Sequence, residues 1–173
     1  ARTARSWLVK FPRSPREADR LVLSAEPGYL EVARRFGLRA GEPLVWERDA
    51  LWIPRFDRVR ARRGGGLARL GLESLASLAG VTDFGAPTPK DDLARGLVAY
   101  ASDPPADLRE LVPRDVLDLA LGNTDNHARN TAVIKDARGR VALSPIYDLA
   151  PMMPDRGIAR VCRWRAEPGG LPA

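Results

Sequence analysis

The chain has 173 residues, 45% of them hydrophobic and 29% charged, with a formal net charge of +6. These fractions exclude wholesale disorder, and the length suits one domain or two small lobes with a sizeable core. The lone Cys162 excludes an internal disulfide, and the lone His127 excludes zinc sites built on two or three histidines.

No apolar run nears the ~20 residues of a membrane-spanning helix, and no signal-peptide core is seen at the N-terminus. A reducing cytoplasm is the expected location. Only three of the 28 basic residues are lysines, Lys10, Lys90 and Lys135. The surplus charge is lopsided: residues 1–66 hold 15 basic and 8 acidic side chains, and residues 67–173 hold 13 and 14. The basic first third would attract phosphates, from a nucleotide or from nucleic acid, and charge alone does not choose between them.

Ser6 to Phe11 reads as a buried strand stopped by Pro12. Arg16 to Ser24 has helical character, and Pro27 can open a second helical segment carrying Tyr29, Leu30, Ala33 and Phe36 up to Gly37. Pro43–Glu47 and Ala50–Ile53 read as two strands around an Arg48-Asp49 turn. Ala61–Gly66, with its three glycines, reads as a linker. Helices are predicted over Leu72–Ala79, Asp91–Ala101 and Pro113–Leu121. Thr131–Ile134 and Val141–Leu143 read as a hairpin turned by Asp136 to Gly139. The tail from Pro168 reads as frayed. Strands plus one helix, then helices, then a hairpin make an α+β pattern.

The informative stretch is Thr124-Asp125-Asn126-His127-Ala128-Arg129-Asn130, between an apolar helix and the hairpin. Pro145-Ile146-Tyr147-Asp148 follows the hairpin. Phosphoryl transfer needs one carboxylate to take the proton of an attacking hydroxyl, and an amide oxygen and a second carboxylate to hold Mg²⁺ against a triphosphate. Asp125 and Asn130 have the Asp-x4-Asn spacing of kinase catalytic loops, and Asp148 is the later acid.

These segments resemble the HipA family of bacterial serine/threonine kinases, the toxins of HipBA-type toxin–antitoxin systems. The family's catalytic loop reads T-D-x-H-x-K-N and its metal-binding strand end P-x-Y-D. Trp7-Leu8-Val9-Lys10-Phe11-Pro12 resembles the strand bearing the ATP-contacting lysine. Glu26 and Ala33 to Leu38 resemble the following helix, and Arg55-Phe56-Asp57-Arg58 the hinge segment. The resemblance implies a two-lobed protein-kinase-like fold with an incomplete N-lobe and a truncated, mostly helical C-lobe. Residues 1–60 would be the N-lobe remnant with lysine strand, helix and hinge, 61–66 the linker, and 67–173 the C-lobe with catalytic loop and metal-binding hairpin.

It further implies that Asp125 is the general base and that Asn130 and Asp148 hold Mg²⁺. Lys10 would contact the ATP phosphates and pair with Glu26. Pro54, Arg55 and Phe56 would line the adenine site, and His127, Ala128, Arg129 and Tyr147 would lie beside the nucleotide. The implied partners are a protein substrate, with an aminoacyl-tRNA synthetase as the family's pointer, and a helix-turn-helix antitoxin through which alone DNA would be met. Pro54 stands where the family has a hinge glutamate, so its nitrogen cannot donate to adenine. Arg129 stands for a lysine of different shape. No glycine-containing phosphate loop precedes Lys10, and the chain ends 25 residues after Asp148, so the expectation is the central part of a kinase.

Two other readings stand beside this one. A chain lacking the phosphate loop could be an inactive fragment that docks an antitoxin. The basic first third, with Arg60, Arg62 and Arg63, could bind nucleic acid, although a solvated charge run explains it as well. Asp83-Phe84-Gly85 spells a kinase metal motif but precedes Asp125, and reads as a turn. Trp7, Trp46 and Trp52 are expected in the core, and Cys162 is expected to be inert.

Overall fold

A computed structural model describes residues 5–61, 66–155 and 157–167. The first sheet joins β1 (Trp7–Lys10), β2 (Val45–Glu47) and β3 (Ala50–Pro54), all antiparallel, in the order β1-β3-β2. Arg48 and Asp49 both take positive φ, 53° and 56°, the backbone a two-residue hairpin turn requires.

Strand register decides the side on which each residue lies. Lys10 lies opposite Leu51, and Leu51 lies opposite Trp46. These three share the face towards the following helix, where Leu51 is fully buried. Trp7 pairs with Pro54, and Trp52 pairs with both Val9 and Val45. They occupy the other face, and Trp7 and Trp52 are 38% and 39% exposed. These two tryptophans are therefore not core residues. With a side-chain period of two, aiming Lys10 inward sends Val9 and Trp7 outward.

α1 (Glu17–Arg35) is one helix of 19 residues and runs through Pro27, instead of breaking there as predicted. Proline forfeits one bond, to the Leu23 carbonyl. Its neighbours hold the helix through a buried stripe of Asp19, Glu26, Leu30 and Ala33 at helical spacing. Gly37, at φ 91°, ends it. The Leu38 N–H reaches the Ala33 carbonyl at 3.1 Å and the Gly37 N–H that of Arg34 at 3.1 Å, the paired bonds of a glycine-terminated helix.

β4 (Arg58–Arg60) and β5 (Leu67–Arg69) pair antiparallel, so the predicted 61–66 linker joins the strands of a hairpin. Arg62, Arg63, Gly64 and Gly65 lie outside the described residues, as does the tail from Pro168. The predicted 72–79 helix divides into β6 (Gly71–Ser74) and α2 (Leu75–Leu78). Leu72, Leu75 and Leu78 mimic helical spacing. Residues 71–74 instead pair with Lys135–Ala132, and Ser74 caps α2 by accepting the Ser77 N–H at 3.2 Å.

β7 (Thr88–Pro89) leads into α3 (Lys90–Tyr100), as expected. α4 (Pro104–Ala120) starts nine residues before the predicted Pro113. Asp103 is its cap, accepting the Ala106 N–H at 3.1 Å, and Pro104 and Pro105 occupy first-turn positions where no N–H is missed. The predicted hairpin is present as β8 (Ala132–Lys135) and β9 (Val141–Leu143), giving a sheet ordered β6-β8-β9. β10 (Cys162–Arg163) pairs parallel with β7.

Two apolar clusters hold these parts. One packs Leu75, Leu93, Leu97, Leu111, Val133 and Leu143 around Ala128 and Cys162. The other packs Leu30, Ala33 and Leu38 against Leu117, Ile146 and Leu149, fixing α1 on α4 and on the segment after β9. No helix among the described residues is long and apolar enough to cross a membrane.

Candidate active site

The buried stripe of α1 changes character along its length. Leu30 and Ala33 enter the second cluster, while Glu26, one turn earlier and 2% exposed, faces β1. There the Lys10 ammonium donates to Glu26 Oε2 at 3.1 Å and Oε1 at 3.3 Å, and also to Asp148 Oδ1. One cation thus bridges two carboxylates that lie 122 positions apart in the chain.

Asp148 is aimed by its backbone. Its φ is 58°, a left-handed conformation that Asp and Asn tolerate better than most residues. Its neighbours Ile146 and Leu149 are buried in the second cluster, and Ile146 forms a bridge to Ala40. Tyr147 lies between them. Its hydroxyl donates to the Arg129 carbonyl at 2.7 Å, and its ring lies 5.8 Å from that of Phe56. This contact ties the segment after β3 to the segment after β9.

Asp125 lies in the loop after α4, whose exit is turned by Gly122 at φ 66°. It shares a cleft of about 210 Å³ with Lys10, Glu26 and Asp148, walled by Met152 and Ile158. His127 Nε2 is 3.6 Å from Asp125 Oδ1. Asn130 Nδ2 donates to the Asp125 carbonyl at 2.8 Å, leaving Oδ1 as a hard oxygen for a ligand.

Burial shapes the charges. Glu26 is pushed up to about 7 by burial, against the pull of Lys10, and the nearby Asp148 pushes the same way. Burial works against the Lys10 cation, but Asp148 and Glu26 together hold its pKa above the ordinary value. Burial raises Asp125 above an ordinary aspartate, with His127 opposing and Asp148 assisting. Burial and Asp148 raise Tyr147.

Lys10, Glu26, Asp125 and Asp148 therefore meet at one cleft, and Asn130 and His127 adjoin it through Asp125. The remaining positions sit differently. Pro54 is buried at the end of β3, and the Arg55 N–H is committed to the Ser6 carbonyl at 2.9 Å. The Arg55 guanidinium grips Asp57 at 2.8 and 2.6 Å, so this side chain builds the hinge. Ala128 is buried in the first cluster and accepts the Ala76 N–H at 3.1 Å. The Arg129 guanidinium lies 5.4 Å from the Phe84 ring centroid and donates to the Thr82 carbonyl at 3.1 Å.

Phe84 was legible only as part of a turn. It is a turn, but its ring also lies 4.9 Å from that of His127, a contact across 43 positions that no local pattern announces. Asn126, between two conspicuous residues, carries no local signal of its bonds either.

Magnesium suits this donor set. It favours one or two carboxylates plus phosphate oxygens over an all-protein cage. The described residues contain no cluster of three or more His, Cys, Asp or Glu side chains able to hold a metal. Asn130 and Asp148 are what such a shared site would use.

The fold is mixed α/β, with a lysine–glutamate pair and an Asp/Asn loop around one cleft. A family model described as the HipA-like C-terminal domain matches residues 1–166. The chain belongs to that HipA-like C-terminal domain family.

Over 171 residues it is 29% identical to the protein named "Putative kinase Y4dM" of Sinorhizobium fredii, covering 88% of this chain and 39% of that protein. Among solved structures it is similar to HipA of Shewanella oneidensis MR-1, determined in complex with HipB and operator DNA. There the TM-score is 0.66 at 20% identity, over 84% of this chain and 37% of that one. It is also similar to the proinflammatory kinase CtkA of Helicobacter pylori, with a TM-score of 0.64 at 19% identity, over 86% of this chain and 52% of that one. The chain thus spans about two-fifths of the curated relative and of HipA, and about half of CtkA.

Proposed function

We propose that this chain forms the nucleotide-binding and catalytic centre of a two-lobed serine/threonine protein kinase, which moves the γ-phosphoryl group of ATP to a protein hydroxyl. The observation that carries the reading is the Lys10 bridge between Glu26 and Asp148 at the cleft that holds Asp125. In phosphoryl transfer the protein mainly positions groups and balances charge, and these are the groups required.

Lys10, steadied by Glu26, faces the phosphates. The Pro54 carbonyl and the Phe56 backbone bound the adenine end, since the Arg55 N–H is spent on Ser6. Asp125 accepts the proton of the acceptor hydroxyl as its oxygen bonds to the γ-phosphorus. The bond from that phosphorus to the β-bridging oxygen breaks, and ADP leaves. Magnesium held by Asn130 and Asp148 would neutralise phosphate charge. HipA of Shewanella oneidensis was determined with HipB and operator DNA as a toxin–antitoxin system, which supports an antitoxin as partner here.

The test pairs calorimetric titration of ATP, with and without Mg²⁺, with a phosphotransfer assay on the unaltered protein and Asp125→Asn. The expected result is unchanged ATP affinity with transfer reduced by roughly 10²–10⁴-fold. Equal transfer by the two proteins would remove Asp125 from its role. No ATP binding by the unaltered protein would favour the inactive docking module.

A further inference from the structure

Asn126 separates Asp125 from His127, yet its side chain turns away from both. It is 6% exposed. Its Nδ2 donates to the Cys162 carbonyl at 2.7 Å, and its Oδ1 accepts the N–H groups of Val161 at 3.0 Å and Cys162 at 3.2 Å. Two residues earlier in the loop, Thr124 Oγ1 donates to the Ile158 carbonyl at 2.7 Å. Both neighbours of Asp125 are therefore fastened to one strap, residues 158–162.

The strap is itself anchored. β10 pairs with β7, and Cys162 is fully buried. The Arg160 guanidinium donates to Asp115 at 2.9 Å and to Glu167 at 2.6 Å. Trp164 Nε1 donates to Asp115 Oδ2 at 2.8 Å. Asn130 in turn holds the Asp125 carbonyl.

We infer that Asn126 is a positioning residue, which aims the Asp125 carboxylate by locking the loop backbone to the 158–162 strap. The inference rests on the kinase reading. A primary amide suits the task, because it offers peptide groups a donor and two acceptor lone pairs at once. Aspartate keeps the acceptors, loses the donor and adds charge beside the base. Alanine leaves the part-buried Val161 N–H, the buried Cys162 N–H and the Cys162 carbonyl without their Asn126 partners.

The experiment measures kcat, KM for ATP and Mg²⁺-dependent ATP affinity in the unaltered protein, Asn126→Ala and Asn126→Asp. Amide hydrogen exchange over residues 158–163 is followed in all three. Asn126→Asp retains the two accepted bonds but loses the bond to the Cys162 carbonyl, so it loosens the strap less severely and gives a folded protein to assay should Asn126→Ala fail to fold. In both variants ATP affinity and KM should stay within about twofold, while kcat falls roughly 10–100-fold, the size expected when a reacting group is displaced by about 1 Å. Exchange in the strap should quicken at least about tenfold in Asn126→Ala.

An unchanged kcat with a loosened strap overturns the inference. So does ATP affinity that falls in step with kcat, because that marks general damage. Absence of transfer by the unaltered protein overturns the kinase reading itself. Equal kcat in all three active proteins overturns only the role of Asn126.

Discussion

Replacing Glu26 by Gln tests the electrostatics of the cleft without the nucleotide. The carboxyl is 2% exposed, and its pKa is about 7 in the folded chain against 4.5 when free. A folded pKa above the unfolded one means that the favourable contribution is fully present below about 4.5 and is lost as pH rises through about 7. At ~1.4 kcal/mol per pH unit, the interval amounts to about 3 kcal/mol. Glutamine titrates in neither state. Relative to the unaltered protein, Glu26→Gln should therefore gain about 3 kcal/mol between roughly pH 4.5 and pH 8, with most of the change below about pH 7. Urea unfolding of both proteins in steps of about one pH unit measures this difference, and groups that titrate alike in both cancel. A difference that stays flat within about 0.5 kcal/mol would refute the reasoning. It would mean that Lys10 fully compensates the buried carboxylate and that the pair behaves as an ordinary ion pair.

Asp148→Asn keeps a side chain suited to φ 58° and removes the charge. ATP affinity with Mg²⁺ should weaken by about tenfold or more, affinity without Mg²⁺ should change little, and calorimetry reads both. Because burial raises Asp125, kcat should fall as pH drops through a midpoint above the usual aspartate value of 3.8. A pH–rate profile at saturating ATP measures that midpoint. Gly96→Ala should destabilise the fold by about 1–3 kcal/mol, read from unfolding midpoints. The new methyl would sit 3.2 Å from the Leu78 backbone where α2 and α3 touch, and backbone yields less readily than a flexible side chain.

The sequence announces those parts of the fold whose signals are local. Pro12 and the apolar run before it mark β1, Arg48-Asp49 marks a hairpin turn, and Gly37 marks the end of α1. Helical spacing misled where tertiary pairing decided the outcome: Leu72 belongs to a strand because β8 offers it a ladder. Pro113 suggested a helix start, whereas the true start carried the stronger signal, an Asp cap followed by two prolines. Trp7 and Trp52 misled because hydrophobicity does not report which face of a strand is turned to Lys10. Motif order singles out Lys10, Glu26, Asp125 and Asp148, and these four side chains line one cleft. The bonds of Asn126 to residues 161 and 162, and the packing of Phe84 on His127, depend on chain returns over 35–43 positions, for which the sequence has no local marker.

The Lys10–Glu26 contact also acts on the alignment of the sheet. β1 has four residues and, among the described residues, pairs with β3, and short strands are prone to slide. A slip of one position would turn Lys10 towards the tryptophan face and bring Val9 against Glu26. That would strand a buried carboxylate beside an apolar side chain without its cation. The ion pair is thus a registration pin, penalising the shifted alignment more than it strengthens the correct one. A substitution at Lys10 disturbs strand alignment together with the proposed phosphate contact, so Asp148 and Asp125 are the cleaner positions from which to dissect the chemistry of the cleft.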